Sequence, residues 1–219
     1  MVVINGFRIE QNKQSTDRTW HDEAMVGPNK QFDQDEALNK ALQLFWENGY
    51  EATSMQELVD AMGINRASMY QTYGNKHALY VASIDRYIEN SVAIFKQTLA
   101  DPGSPLENLR GLFQLFIVGS LEGEMRGCFL NNTAIELGPH DATMAKKVRD
   151  AWVEFENVFA ALIRRAIDMN EIKPDADVRQ LAQLLNINLQ GLLAQTKTNT
   201  AKEKLFDSVN TLIALLRLS

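Results

Sequence analysis

Asn65, Arg66, Ser68, Tyr70 and Gln71, with Lys76 close behind, crowd short hydrogen-bonding groups and two cations into one stretch of the chain. No nucleophile elbow, glycine-rich phosphate loop or HExxH spacing occurs, so the chemistry open to these residues is recognition rather than bond making. Read as a helix, the stretch places Arg66 with Tyr70, and Ala67 with Gln71, in neighbouring rows on an outer face. Met69 and Tyr73 lie four apart and turn inward. Donors, acceptors and a cation on one convex face suit the major groove of a duplex, where base edges carry a donor and acceptor pattern and phosphates line the rim.

The elements that must position this face are legible on either side of it. Ser54 followed by Glu57 is a capping box that opens a short helix with Leu58, Ala61 and Met62 on its apolar side. Gly63 ends that helix, because a sharp turn asks for a left-handed residue, and Asn65 then caps a second helix from Arg66 to about Thr72. Two helices joined this way form a helix-turn-helix. Asn75 is placed to cap a third helix with Lys76 in its first turn, where free amides and an ammonium together make a phosphate clamp. The chain carries a formal charge of -6, which argues against indiscriminate polyanion binding. Between Asp60 and Asp85, however, no acidic residue occurs, whereas Arg66, Lys76 and His77 do.

The run FDQDEALNKALQLFWENGYEATSMQELVDAMGINRASMYQTYGNKHALY resembles the N-terminal DNA-binding domain of TetR/AcrR-family transcriptional regulators. The resemblance rests on a helix ending in Asn48-Gly49-Tyr50, the Ala52-Thr53-Ser54 entry, the Met62-Gly63-Ile64 turn, and the spacing of Tyr70, Tyr73, Lys76 and Leu79. It implies DNA contacts from Ser54, Asn65, Arg66, Ala67, Ser68, Tyr70, Gln71 and Lys76, with Tyr70 and Lys76 on phosphates and Tyr73 packed inside. Lys30 is added from the basic arm that precedes the first helix in such proteins. Here Gly27-Pro28-Asn29-Lys30 lacks the arginine of the usual Gly-Arg-Pro arm, which implies weaker minor-groove contacts. RGCFLNNTAIELGPHD resembles, more loosely, the C-terminal ligand-binding and dimerisation domains of the same family.

Along the chain, helical spacing dominates. Residues 1–29 show no sustained period beyond a short strand pattern within Val2 to Ile9, and are expected to be a mobile extension, with Lys13 and Arg18 alongside Lys30 as the alternative of a functional arm. Helices are expected over Gln34 to Asn48, over Lys76 to Leu99 without a break, from Ser104-Pro105-Leu106-Glu107, a capping box with proline at N1, until the pattern dissolves around Gly119, Gly123 and Gly127, and over Phe129 to Leu137. Three more follow, capped by Asp141, by Asp177 and by Thr200 with Glu203. The fold class is therefore all-α, with about nine or ten helices. Its expected domains are the extension at 1–29, a three-helix helix-turn-helix domain at 30–80, and a C-terminal helical ligand-binding and dimerisation domain at 81–219. No membrane span or signal peptide is expected, and a cytoplasmic protein follows.

Catalysis has little support, since the three histidines fall in the extension, in the DNA-binding unit and at a helix entry. No cofactor is expected. Cys128 could react with oxidants or soft metals, but a lone cysteine between Gly127 and Phe129 is more often a small buried hydrophobe. Phe113, Phe116, Phe129, Trp152, Phe155 and Phe159, with Asn132 as a polar group, are the expected lining of a ligand cavity, although rings at helical spacing pack a core first. The functional expectation is a homodimeric regulator, read as a repressor, that binds a palindromic double-stranded DNA operator and is released by a small-molecule inducer. The alternative is a helical protein–protein interaction module without DNA binding.

Overall fold

A computed structural model describes residues 32–123 and 125–218, together with two short strands, β1 (Val2–Ile4) and β2 (Phe7–Ile9), that pair antiparallel with Val2 opposite Ile9. The strand pattern in this segment is thus a hairpin; Lys13, Arg18, Lys30 and the rest of the expected extension lie outside the described residues. Nine helices make up the rest of the described chain.

The first three are α1 (Gln34–Asn48), α2 (Met55–Met62) and α3 (Arg66–Tyr73). Each begins on a side-chain cap that accepts orphan amides. Asp33 accepts from Asp35 and Glu36, Ser54 forms the full capping box with Glu57, and Asn65 accepts from Ser68. Gly63 adopts the left-handed conformation, φ 69° and ψ 29°, that turns α2 into α3. Leu58, Met62 and Met69 are buried against Ala41, Leu42 and Phe45 of α1, while the Tyr73 hydroxyl donates to the Gln34 carbonyl at 3.0 Å. Tyr73 is accordingly half-buried, with its phenol anchored rather than enclosed.

Helix α4 (Lys76–Leu99) is continuous, capped by Asn75, and its buried face runs from Leu79 to Leu99. Against α4 pack α5 (Pro105–Glu122), α6 (Phe129–Glu136) and α7 (Ala142–Asp168); α8 (Val178–Thr196) packs on α7 and α5, and α9 (Lys202–Leu218) on α5. Asp141 caps α7 and Asp177 caps α8, as their sequences predict. Three details differ from expectation. Ser104 accepts from the Glu107 amide, but Glu107 does not reciprocate; its carboxylate is taken by Arg110 at 2.9 Å and Arg217 at 3.1 Å. Helix α5 continues through Gly119, which is buried, to Glu122, since a single glycine weakens a packed helix without breaking it. Helix α9 starts at Lys202, so Thr200 does not cap it; the Thr200 hydroxyl lies 3.1 Å from that of Thr198.

The core of the second half is a ring cluster. Phe95 of α4 stacks on Phe155 of α7 at 4.8 Å between centroids and meets Phe116 of α5 at 5.1 Å and Phe159 at 5.3 Å in tilted, edge-on contacts. Truncating its centre, Phe95→Ala, is expected to cost about 3–5 kcal/mol, whereas Ser54→Ala, which removes one cap of a short surface helix, costs about 1 kcal/mol. Urea unfolding followed by circular dichroism at fixed protein concentration checks both values and their order.

Candidate nucleic-acid interface

Helix α3 carries the polar face that its sequence predicts. Asn65, Arg66, Ala67, Tyr70 and Gln71 are exposed, Ser68 is half-buried, and Met69 opposite them is fully buried. Tyr70 is 46% exposed, unusual for an aromatic residue on so small a unit, and it leaves both ring and hydroxyl presented to solvent. Two of the predicted contact residues already have structural work. The Asn65 carbonyl oxygen accepts from the Ser68 amide at 2.8 Å, and the Ser54 hydroxyl from the Glu57 amide at 3.2 Å. What they still offer outward is the Asn65 amide nitrogen, the Ser54 O–H and, at the start of α2, backbone N–H groups. Lys30 lies outside the described residues.

Lys76 stands at the first turn of α4, half-buried, with its ammonium 4.4 Å from the centroid of the Tyr50 ring. That cation–π contact holds the charge beside the α3 face instead of leaving it to sweep freely. Tyr50 belongs to the turn that joins α1 to α2. Gly49 begins this turn at φ 85°, and the Thr53 hydroxyl closes it onto the Gly49 carbonyl at 2.6 Å.

The same turn is gripped from the other half of the molecule. Glu136, the last residue of α6, accepts from the Tyr50 amide at 3.0 Å and the Glu51 amide at 2.8 Å. Next to it, His77 donates from Nε2 to Asp141 at 2.6 Å while Asp141 also caps α7. The amide of Met144 first, and His77 second, hold the Asp141 carboxyl below its usual range. A third bridge runs from Trp46 of α1, whose indole N–H donates to the Gly127 carbonyl at 3.2 Å, with Arg126 stacked over the indole at 4.8 Å and bonded to Gln43 at 2.7 Å. Trp46 therefore covers the small domain's core, as its place near the end of α1 suggests, and also closes the seam to the larger half. None of these bridges carries a local sequence signal, since their partners lie more than eighty residues apart in the case of Glu136 and Trp46; only the positive-φ glycine at Gly49 is visible beforehand.

The structure divides the predicted ligand residues between two places. Phe113, Phe116, Phe155 and Phe159 join Phe95 in the ring cluster of the second half, buried and in mutual contact. Phe129 belongs instead to a second cluster at the seam, among Trp46, Tyr80 and Tyr87. Trp152 is half-buried with its indole N–H enclosed and unpartnered. Asn132 faces neither cluster with a free group: its amide donates to the Arg126 carbonyl and its oxygen accepts from Lys197, each at 3.0 Å. A cleft of about 350 Å³ between α7 and α8 is bordered by Val153, Glu156, Arg164 and Arg179, and one of about 400 Å³ between α4 and α7 by Asp85, Lys147 and Asp150. Cys128 is buried, receives the Tyr87 hydroxyl at 3.6 Å, and has its thiol pushed up by burial, which disfavours the reactive thiolate. Among the described residues no helix is long and apolar enough to cross a membrane, and no group of His, Cys, Asp and Glu is placed to hold a metal ion.

This geometry has close counterparts in known proteins. Residues 37–82 match the family described as "Bacterial regulatory proteins, tetR family", and residues 105–211 match "Tetracyclin repressor-like, C-terminal domain". An uncharacterized HTH-type transcriptional regulator of Bacillus subtilis, YezE, is 34% identical over 87% of this chain and 100% of its own length. The HTH-type transcriptional repressor ComR of Escherichia coli is 30% identical over 92% of this chain and 97% of its own. Among solved structures, a cysteine mutant of the TetR-family regulator CifR, complexed with 26-bp double-strand operator DNA, superposes with a TM-score of 0.74 at 26% identity, covering 85% of this chain and 98% of that one. Both halves of the chain, the helix-turn-helix and the helical body behind it, thus match one family of transcriptional regulators rather than enzymes, and the protein belongs to the TetR family of bacterial DNA-binding transcriptional regulators.

Proposed function

We propose that the protein is a homodimeric repressor that binds a roughly palindromic operator and releases it when a small molecule occupies the C-terminal helical domain. The observation that carries this reading is the exposed face of α3, in which Arg66, Ala67, Tyr70 and Gln71 stand clear of the core while Lys76 is held beside them. On this reading Gln71 and Arg66 meet base edges, Ala67 and Ser68 fit the groove wall, and Tyr70 and Lys76 meet phosphates, with Asn65 and Ser54 at the backbone margin and Lys30 on the approach. The DNA-binding unit is the segment 30–80, behind an extension at 1–29, and residues 81–219 form the regulatory body.

Dimerisation is supported by α7 and α8, which leave Val153 54%, Leu184 44% and Ile187 67% exposed on one side of the body. Apolar side chains that a monomer would leave in water are covered when the same faces of two copies meet about a twofold axis. Such an axis sets the two α3 helices about 34–36 Å apart, one turn of duplex. The repressor sense is supported by the description of ComR, the relative 30% identical over 92% of this chain. Phe113, Phe116, Phe155 and Phe159 offer the ligand an apolar lining, with Phe129, Trp152 and Asn132 toward the seam and α7; since the rings now touch, an occupant must part them, which favours a partly apolar molecule.

Selection of genomic duplexes retained by the purified protein tests the DNA-binding reading, and release of the retained fragment by members of a metabolite library tests induction. Lys76→Ala is expected to weaken all duplexes about equally and to lower the slope of log affinity against log salt by about 1 per subunit. Gln71→Ala is expected to relax preference at one operator position, costing about 1–3 kcal/mol there. Ile187→Glu, measured by light scattering at micromolar concentration, is expected to give monomer where the unmodified protein gives dimer.

A further inference from the structure

The grip on the α1–α2 turn is unlike an ordinary surface contact. Glu136 closes α6, and a carboxylate at a helix C-terminus sits against the negative end of the helix dipole. It is compensated from outside its own domain, by the two successive amides of Tyr50 and Glu51, an arrangement of adjacent N–H groups that suits an anion. Gly49 makes room for it: a Cβ built there would lie 2.9 Å from a Glu136 oxygen. The ring of the same Tyr50 underlies the Lys76 ammonium, and the residue after Lys76, His77, is held by Asp141. Two carboxylates from the α6–α7 corner therefore flank Lys76, Glu136 through the turn that carries Tyr50 and Asp141 through His77, the next residue of α4.

We infer that Glu136, assisted by Asp141, is a positioning residue for DNA binding: the Glu136–Tyr50–Lys76 chain of contacts holds the Lys76 ammonium where it meets phosphate, and movement of the α6–α7 corner withdraws it. This rests on the DNA-binding reading above and adds to it a route by which the body behind the helix-turn-helix sets DNA affinity. The Glu136 arm of this route enters the small domain through the α1–α2 turn rather than along α4, although the cation it holds is the first residue of that helix. Asp141 serves both ends, because the carboxylate that holds His77 is also the one that starts α7, so a shift of that helix is felt at the residue beside Lys76.

The test uses the full-length protein, a labelled duplex retained in the genomic selection, and a double-mutant cycle between Glu136→Gln and Lys76→Ala. The glutamine keeps the length of the side chain but turns a donor toward one of the two amides. Glu136→Gln is expected to lower affinity about fivefold or more and to reduce the salt slope by about 1 per subunit, with Lys76→Ala adding little further loss of slope in that background. Amide hydrogen exchange at Tyr50 and Glu51 should quicken in Glu136→Gln with the melting temperature nearly unchanged, a readout that needs no DNA. Equal slope losses from Lys76→Ala in both backgrounds, or unchanged exchange at the two amides, would overturn the role assigned to Glu136. If the unmodified protein retains no genomic duplex, the DNA-binding reading fails, and the exchange data alone then decide whether the grip exists.

Discussion

Tyr80 and Tyr87 lie inside the protein on one face of α4, and everything else is arranged around their burial. Each ring meets α1 on one side and Phe129 of α6 on the other: Tyr80 is edge-on to Phe45 at 4.9 Å and to Phe129 at 5.4 Å, Tyr87 to Trp46 at 5.1 Å and to Phe129 at 5.7 Å. A buried phenol must find a partner for its hydroxyl or lose more than its ring contributes. Tyr80 finds Thr133, midway along α6, at 2.9 Å, and Tyr87 finds Cys128, the residue that precedes α6, at 3.6 Å. The small domain and the larger body consequently share a core. A large rotation of either against the other would expose aromatic surface and strand a hydroxyl, which confines their relative motion to small angles.

Around this apolar seam the polar contacts add orientation rather than bulk adhesion. Trp46 bonds to the loop between α5 and α6, Glu136 to the α1–α2 turn, and Asp141 to the head of α4. The loop packs closely at Gly127, at φ 68°, where a Cβ would meet Lys197 at 2.9 Å and the Leu193 carbonyl oxygen at 3.3 Å. Its amide bonds to Ser120, whose hydroxyl lies 2.6 Å from that of Thr196 near the end of α8. The end of α8 is thereby in register with α1 through a chain of small polar side chains, independent of α4.

How much of this was legible beforehand follows from the range over which each signal acts. Caps are local, so Ser54, Asn65, Asn75, Asp141 and Asp177 stand where their sequences place them, and the glycine at 63 turns as expected. The outward row on α3 was equally readable, because its one inward anchor, Met69, fixes which of the eight residues face out. Long-range partners were not. Asn132 reads as a polar group near a cavity, yet it ties down a loop, and Glu136, which carries no local signal, bonds a distant turn. The aromatics of α5, α6 and α7 have the same spacing whether they ring a hole or fill it, and nothing in periodicity separates Phe129, which serves the seam, from Phe155, which serves the body. Glu107 shows the same limit at a helix start: a capping-box pattern cannot reveal that Arg110 and Arg217 compete for the carboxylate.

The unbroken course of α4 has a mechanical meaning. Tyr87 is clamped by rings on both sides, whereas Lys76 lies near the surface at the helix's other end, and at ~1.5 Å of rise per residue the arm between them is about 16 Å long. A tilt of only about 10° around Tyr87 sweeps Lys76 through about 3 Å, roughly the full length of a hydrogen bond. Phe95, on an arm of about 12 Å beyond Tyr87, moves through about 2 Å in the same tilt, so a shift among the phenylalanines reaches the DNA-facing end enlarged about 1.4-fold rather than damped.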